Sequence, residues 1–130
     1  MERATAIFAA VNFLVIGLSH LLQGRAWREF FAKLLSLGQP GAFVNGMLAL
    51  AMGTVIVSFH NVWSGVPLVL TLVGWLMVSK ALVVLVLPEW GLESMRRSQH
   101  NSETKFVVAG LLLVGLACCI GIGLLAGSYA

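Results

Sequence analysis

Four stretches of this chain, 5–23, 41–59, 66–87 and 106–127, carry almost nothing but apolar side chains. A helix rises 1.5 Å per residue, so roughly 20 such residues are what the hydrocarbon layer of a bilayer demands. A backbone N–H or C=O in lipid has no water to bond, so each run is expected to be a helix. Composition leaves few other solutions. The 130 residues are 59% hydrophobic and 10% charged, against about 45–50% and about 25% in a soluble domain. A soluble enzyme, a disordered tail and a disulfide-rich secreted module are excluded on that ground. The expected fold is all-α, an integral membrane four-helix bundle forming one membrane domain over 1–130.

The connections carry their own patterns. Residues 25–37 place Trp27, Phe30, Phe31, Leu34 and Leu35 on one helical face and Arg28, Glu29, Lys33 and Ser36 on the other. That spacing predicts a short amphipathic helix lying in the interface between spans one and two. Gly38, Pro40 and Gly41 end it. Pro67 suits the first turn of the third helix and Pro88 marks its end. Residues 89–105 read as a polar loop, with Asn101 or Ser102 expected to cap the fourth helix and Glu103 beside its positive end.

Lys and Arg in the connections set orientation. Arg25, Arg28, Lys33, Arg96, Arg97 and Lys105 flank one side of the spans, and Arg3 alone flanks the other. Six against one predicts the connections 24–40 and 88–105 in the cytoplasm and both termini outside. It also disfavours an antiparallel homodimer. The net charge of +3 is thus an orientation signal, and no nucleic-acid partner is expected. The first run is read as a span rather than a signal peptide: Glu2 sits beside Arg3, and Gly17-Leu18-Ser19-His20 is a poor cleavage site.

Small residues let helices approach closely in lipid. Gly46, Ala49 and Gly53 form one such seam; Gly110, Ala117, Gly121 and Ser128 form another, and Gly123 with Gly127 adds a GxxxG. These seams fit either contacts within one bundle or a homo-oligomer. Polar residues form lines as well. Thr5, Asn12, Ser19 and Gln23 share a stripe on the first span, which should face protein. Thr71, Trp75 and Ser79 form an i, i+4, i+8 row on the third, and Asn45 lies near the cytoplasmic end of the second. They fit interhelical hydrogen bonds, or a polar cavity open to the cytoplasm and lined by Ser19, His20, Gln23, Asn45 and Ser79.

Lys80 is the only formal charge inside a span. Such a group is costly in lipid and is a functional candidate by default. It lies about 10 Å from the cytoplasmic end of its helix, on the face of Val73, Leu76, Val84 and Leu87 and opposite Thr71. It can snorkel or pair with Glu29 or Glu93, or it can bind an anion or substrate. His20 lies at a depth that approaches Lys80, as a proton relay or a hydrogen-bonded interface residue. The candidate binding set is therefore Lys80, His20, Ser19, Gln23, Asn45, Asn12 and Ser79. His60, Asn61 and Trp63 read either as an interface anchor and turn or as the outer rim of a cavity.

Other chemistry is poorly supplied. His60 is placed a bilayer thickness from His20 and His100, so the three histidines make no metal site. Cys118 and Cys119 point about 100° apart, which argues against a disulfide between them, and they read as small apolar fillers. No cofactor is expected. The sequence has no nucleophile elbow, paired carboxylates, phosphate-binding glycine loop or HExxH, so an enzyme is not expected. All five acids are Glu, at positions 2, 29, 89, 93 and 103, outside the apolar runs. A cation-driven mechanism built on a membrane carboxylate is therefore poorly supported.

The run His60-Asn61-x-Trp63, then Thr71-x-x-Gly74-Trp75, Lys80 and Pro88, resembles a pattern of small bacterial four-span integral membrane proteins of uncharacterised activity. Gly17-Leu18-Ser19-His20, an amphipathic stretch and Leu37-Gly38-Gln39-Pro40 are similar to the layout of the DoxX-like family. These resemblances imply a bacterial inner-membrane location and, for the second, a redox or membrane-complex role. Trp63-Ser64-Gly65-Val66 is similar to small multidrug transporters, but the first span has Asn12 at mid-depth where their chemistry needs a carboxylate. Two functions are weighed: an oligomeric transporter or channel for an anionic or neutral polar small solute, and an accessory or scaffolding subunit of a larger membrane complex. Expected partners are membrane lipid and further copies of the chain or a larger membrane protein.

Overall fold

The computed structural model describes residues 1–100 and 102–129. Among the described residues six helices follow one another: α1 (Glu2–Leu22), α2 (Gly24–Ser36), α3 (Gln39–Phe59), α4 (Leu68–Val86), α5 (Pro88–Gln99) and α6 (Ser102–Leu125). No strand occurs among the described residues. α1, α3, α4 and α6 are each long and apolar enough to cross a membrane. In their most apolar stretches only 33%, 33%, 28% and 22% of residues are buried. The outward faces carry side chains such as Leu76, Leu112, Ile122 and Leu125. An apolar surface this continuous belongs against hydrocarbon rather than water.

The long helices form two antiparallel pairs, α1 with α6 and α3 with α4. Glycine sets how close each pair comes. A Cβ on Gly17 would stand 2.9 Å from Val114 N and 3.0 Å from Gly110 O, so α1 and α6 cross backbone to backbone. A Cβ on Gly53 would stand 2.9 Å from Val78 N and 3.0 Å from Gly74 O, so α3 and α4 do the same. Gly46 and Ala49 are buried on the same seam. The pairs meet around Ala6, Ala9, Phe13, Ile56, Leu70, Ala117 and Ile120.

The α6 seam divides. Gly110 and Ala117 are buried, whereas Gly115 and Gly121 have no atom within 4 Å of an added Cβ. Gly127 does not act as the second half of a GxxxG. Its φ of 74°, with Ser128 N–H on Gly123 O at 2.8 Å and Gly127 N–H on Leu124 O at 3.3 Å, makes it the left-handed stop of a Schellman turn. Cys118 and Cys119 are both exposed on α6 rather than filling the interior.

A further expectation is corrected. The segment read as a polar loop holds a helix, α5. Pro88 does double duty here. It forces Leu87, the residue before it, out of the helical region to ψ 70°, which ends α4, and it then serves as the first residue of α5. Glu89 in the first turn and Arg96 and Arg97 in the last complement the helix dipole. α5 buries Gly91, Leu92 and Met95. With α2 it closes one end of the bundle, where Ala42, Val84 and Leu92 form a second small core against Leu35. Gly41 is required at the α2–α3 corner, because a Cβ there would overlap the Leu34 carbonyl. The cap expected from Asn101 or from the Ser102 side chain lies outside the described residues.

Candidate functional site

Five helices converge on a cavity of about 170 Å³. Phe31 comes from α2, Asn45 from α3, Lys80 from α4, Ser94, Met95 and Ser98 from α5, and Phe106 from α6. The topology explains the meeting. Asn45 and Lys80 each lie six residues from the helix end at which α2 and α5 cross the bundle, about 9 Å deep at 1.5 Å per residue. α5 then folds back over α4, with Gly91 set against Val84 so tightly that a Cβ would be 3.0 Å from Val84 Cγ1. That contact brings Ser94 and Ser98, one and two turns further on, over Lys80.

Lys80 is exposed, and among the described residues the acids that could neutralise it are engaged elsewhere. Glu93 is held by Arg97 at 3.2 Å and Arg96 at 3.6 Å, and Glu29 by Arg25 at 3.1 Å. These pairs are exposed, local to their own helices and worth little to stability, but they use the acids considered as partners. Glu89 accepts a hydrogen bond from Gln39 Nε2 at 3.1 Å. Among the described residues no carboxylate forms an ion pair with Lys80. Ser98 Oγ donates to Ser94 O at 3.1 Å. Lys80, Asn45 and Ser94 all line the cavity; Lys80 and Ser94 are exposed and Asn45 is half-buried, and none of the three side chains has a hydrogen-bond partner among the described residues.

The rest of the expected cytoplasmic cavity is divided from this one by aromatic rings. His20 is buried and stacks on Trp27 with ring centroids 4.1 Å apart. Its Nδ1–H donates to Ile16 O at 2.8 Å, which leaves Nε2 as the basic nitrogen. Trp27 Nε1–H donates to Ser19 Oγ at 2.8 Å. Ser19 and Gln23 line a separate hollow with Ala26, Trp27 and Phe30. Phe106 belongs to both neighbourhoods: its ring lies 6.2 Å from His20 and 5.4 Å from Phe31, and it also walls the Lys80 cavity. His20 and Lys80 therefore occupy adjoining compartments. Asn12 Nδ2 donates to Phe8 O of its own helix at 2.8 Å, and Thr5 Oγ1 to Met1 O at 3.1 Å. Neither spends its side chain on another helix. Ser79 is exposed and lines neither hollow.

At the opposite end the 60–67 connection is fastened shut. His60 is fully buried and donates through Nε2–H to Pro67 O at 3.0 Å. Thr71 Oγ1 donates to Val62 O at 2.7 Å and accepts from Val62 N–H at 3.0 Å. Trp75 Nε1–H reaches Asn61 Oδ1 at 3.4 Å. Trp63 is exposed. The spacing of His60, Asn61, Thr71 and Trp75 is thus the spacing of a loop latched to the first two turns of α4, and Gly74 is the crossing point with Ile56. Tyr129 covers His60, with ring centroids 5.5 Å apart. Its burial, and then the neighbouring Cys119, push the phenol above its usual value.

The sequence reading missed Ser94, Ser98, Met95, Phe31 and Phe106 as cavity residues. The three from α5 were hidden by the loop assignment. Proline at the first helical position, an acid in the first turn and bases in the last were the signals that could have found them. No family model, no curated protein and no solved structure matches this chain.

Proposed function

We propose that the chain is a subunit of an oligomeric membrane transporter or channel for an anionic or neutral polar small solute, with Lys80 as its recognition charge. One observation carries this reading: Lys80 lines a five-helix cavity together with Asn45 and Ser94, with no carboxylate paired to it among the described residues. Lys80 is itself exposed, and a cation at this depth of a span without a counter-charge is stabilised by an anion that visits it. The distribution of Lys and Arg supports a cavity facing the cytoplasm of a bacterial inner membrane, with both termini outside. Phe13, Ile56, Leu70 and Ile120 fill the bundle between the two ends, so passage requires a pathway between copies or a rearrangement of the helix pairs.

The test is flux into proteoliposomes. The reading expects anion or polar-solute uptake above empty liposomes that falls in Lys80→Met. Background flux across small anions and neutral polar solutes, from a correctly folded oligomer, would refute it. A second reading, an accessory subunit of a larger membrane complex, is favoured by α6, where a Cβ added at Gly115 or Gly121 would meet no other helix among the described residues. Purification in mild detergent separates the two. A stoichiometric partner of different sequence supports the second, and a self-contained, active homo-oligomer supports the first.

A further inference from the structure

We infer that the Lys80 cavity is a receptor for a phosphoryl group, either inorganic phosphate or a phosphate ester. This rests on the anion reading above and narrows it. The cavity, at about 170 Å³, lies below the roughly 300 Å³ at which drug-sized ligands begin to fit. It suits a compact ion or a headgroup. Its donor-bearing residues come from three helices: Lys80 on α4, Asn45 on α3 and Ser94 on α5. A planar carboxylate is best met by a planar fork such as arginine. Donor-bearing residues on the wall of one cavity from three separate helices instead match the several oxygens of a tetrahedral group, with lysine acting as a point charge. Phe31, Met95 and Phe106 supply apolar walls on one side, which reduce solvent screening of an ammonium–oxyanion contact.

The depth of the site admits two sources. Phosphate can enter from the basic end, where Arg96 and Arg97 share the single carboxylate of Glu93 and leave a net positive charge. A phospholipid headgroup can enter sideways, because Leu76, one turn from Lys80 on the same side of α4, is exposed on its outer surface. Both present the same chemistry to Lys80.

The experiment is thermal unfolding of the intact protein in an uncharged detergent. Inorganic phosphate is titrated against acetate and chloride at equal ionic strength, and phosphatidylglycerol against oleate in doped micelles. Saturable stabilisation by phosphate supports a solution ligand, and stabilisation by phosphatidylglycerol without phosphate supports a lipid headgroup. Either is expected to need about 10-fold to 100-fold more ligand in Lys80→Met. Asn45→Ala and Ser94→Ala leave the charge in place, and each is expected to weaken binding by about 2-fold to 10-fold. They carry the test if Lys80→Met does not fold. Equal stabilisation by acetate, chloride and phosphate would overturn the phosphoryl assignment while sparing the anion reading. No response to any anion, or a response unchanged in all three variants, would overturn both.

Discussion

Gly110→Ala is the perturbation whose effect follows most directly from the geometry. The added Cβ would stand 2.8 Å from Gly17 O, 2.9 Å from His20 Cβ and 3.0 Å from Leu21 N. Ordinary contact begins at 3.4 Å, so the closest approach is 0.6 Å short (3.4 minus 2.8). Two of the three obstacles are backbone atoms of α1, which have no rotamer to change. The two helices must separate or shift, and with them the Ala6, Ala9 and Ala117 contacts that hold them together. Overpacking of this kind costs about 1–3 kcal/mol. The same movement displaces His20 from its 4.1 Å stack on Trp27, which brings the change close to the Lys80 compartment through Phe106. Gly115→Ala and Gly121→Ala are internal controls on the same helix. Nothing lies within 4 Å of either added carbon, so each is expected to stay within about 0.5 kcal/mol of the parent. Reversible unfolding in mixed micelles titrated with a denaturing detergent measures all three. If Gly110→Ala matched the controls, the backbone-to-backbone crossing of α1 and α6 would be wrong. If Gly115→Ala were the most damaging, α6 would instead present its outward face to another copy.

The remaining expectations concern the latched end. Thr71→Val removes the hydroxyl that both donates to and accepts from Val62, leaving a backbone pair without a partner. It should lower stability by about 1–3 kcal/mol and speed amide exchange at Val62, while Thr71→Ser restores both; equal exchange in Val and Ser variants contradicts the latch. Tyr129 is the single tyrosine of the chain, so tyrosinate absorbance reports it alone. Its pKa is raised in the fold, so its contribution to stability is complete below the unfolded value near 10 and is lost as pH rises through the higher folded value. The absorbance midpoint should lie above that of the detergent-unfolded chain, and Tyr129→Phe should remove the alkaline loss of stability. A folded midpoint at or below the unfolded one would contradict the burial of Tyr129.

Much of this architecture is legible from residue pattern because lipid is such a restrictive solvent. The four spans stand out since each needs about 20 apolar residues, and α2 stands out since Trp27, Phe30, Phe31, Leu34 and Leu35 recur at helical spacing. α5 lacked that signal. Its inward positions are Gly91, Leu92, Met95, Ser98 and Gln99, of which only two are large and apolar, so periodicity was silent and the charge arrangement spoke instead. Lys80 was visible as a lone charge, and Asn45 as its neighbour in depth. What pattern does not encode is which helix crosses over which. The stacking of Trp27 on His20 and the insertion of Phe106 separate His20, Ser19 and Gln23 from Lys80, and only tertiary contacts decide that. Likewise His60 reads from sequence as a surface residue, whereas Tyr129, sixty-nine residues later, buries it.

The central claim is that an unneutralised Lys80 makes this cavity selective for anions. Thiol modification tests it directly. In a Cys118→Ala, Cys119→Ala background, Ser98→Cys places a single thiol on the cavity wall. Rates with an anionic and a cationic methanethiosulfonate are measured and each divided by its rate with a free thiol. The account predicts a normalised preference for the anionic reagent that collapses in Lys80→Met. A preference for the cationic reagent, or one that is identical with and without Lys80, would contradict it.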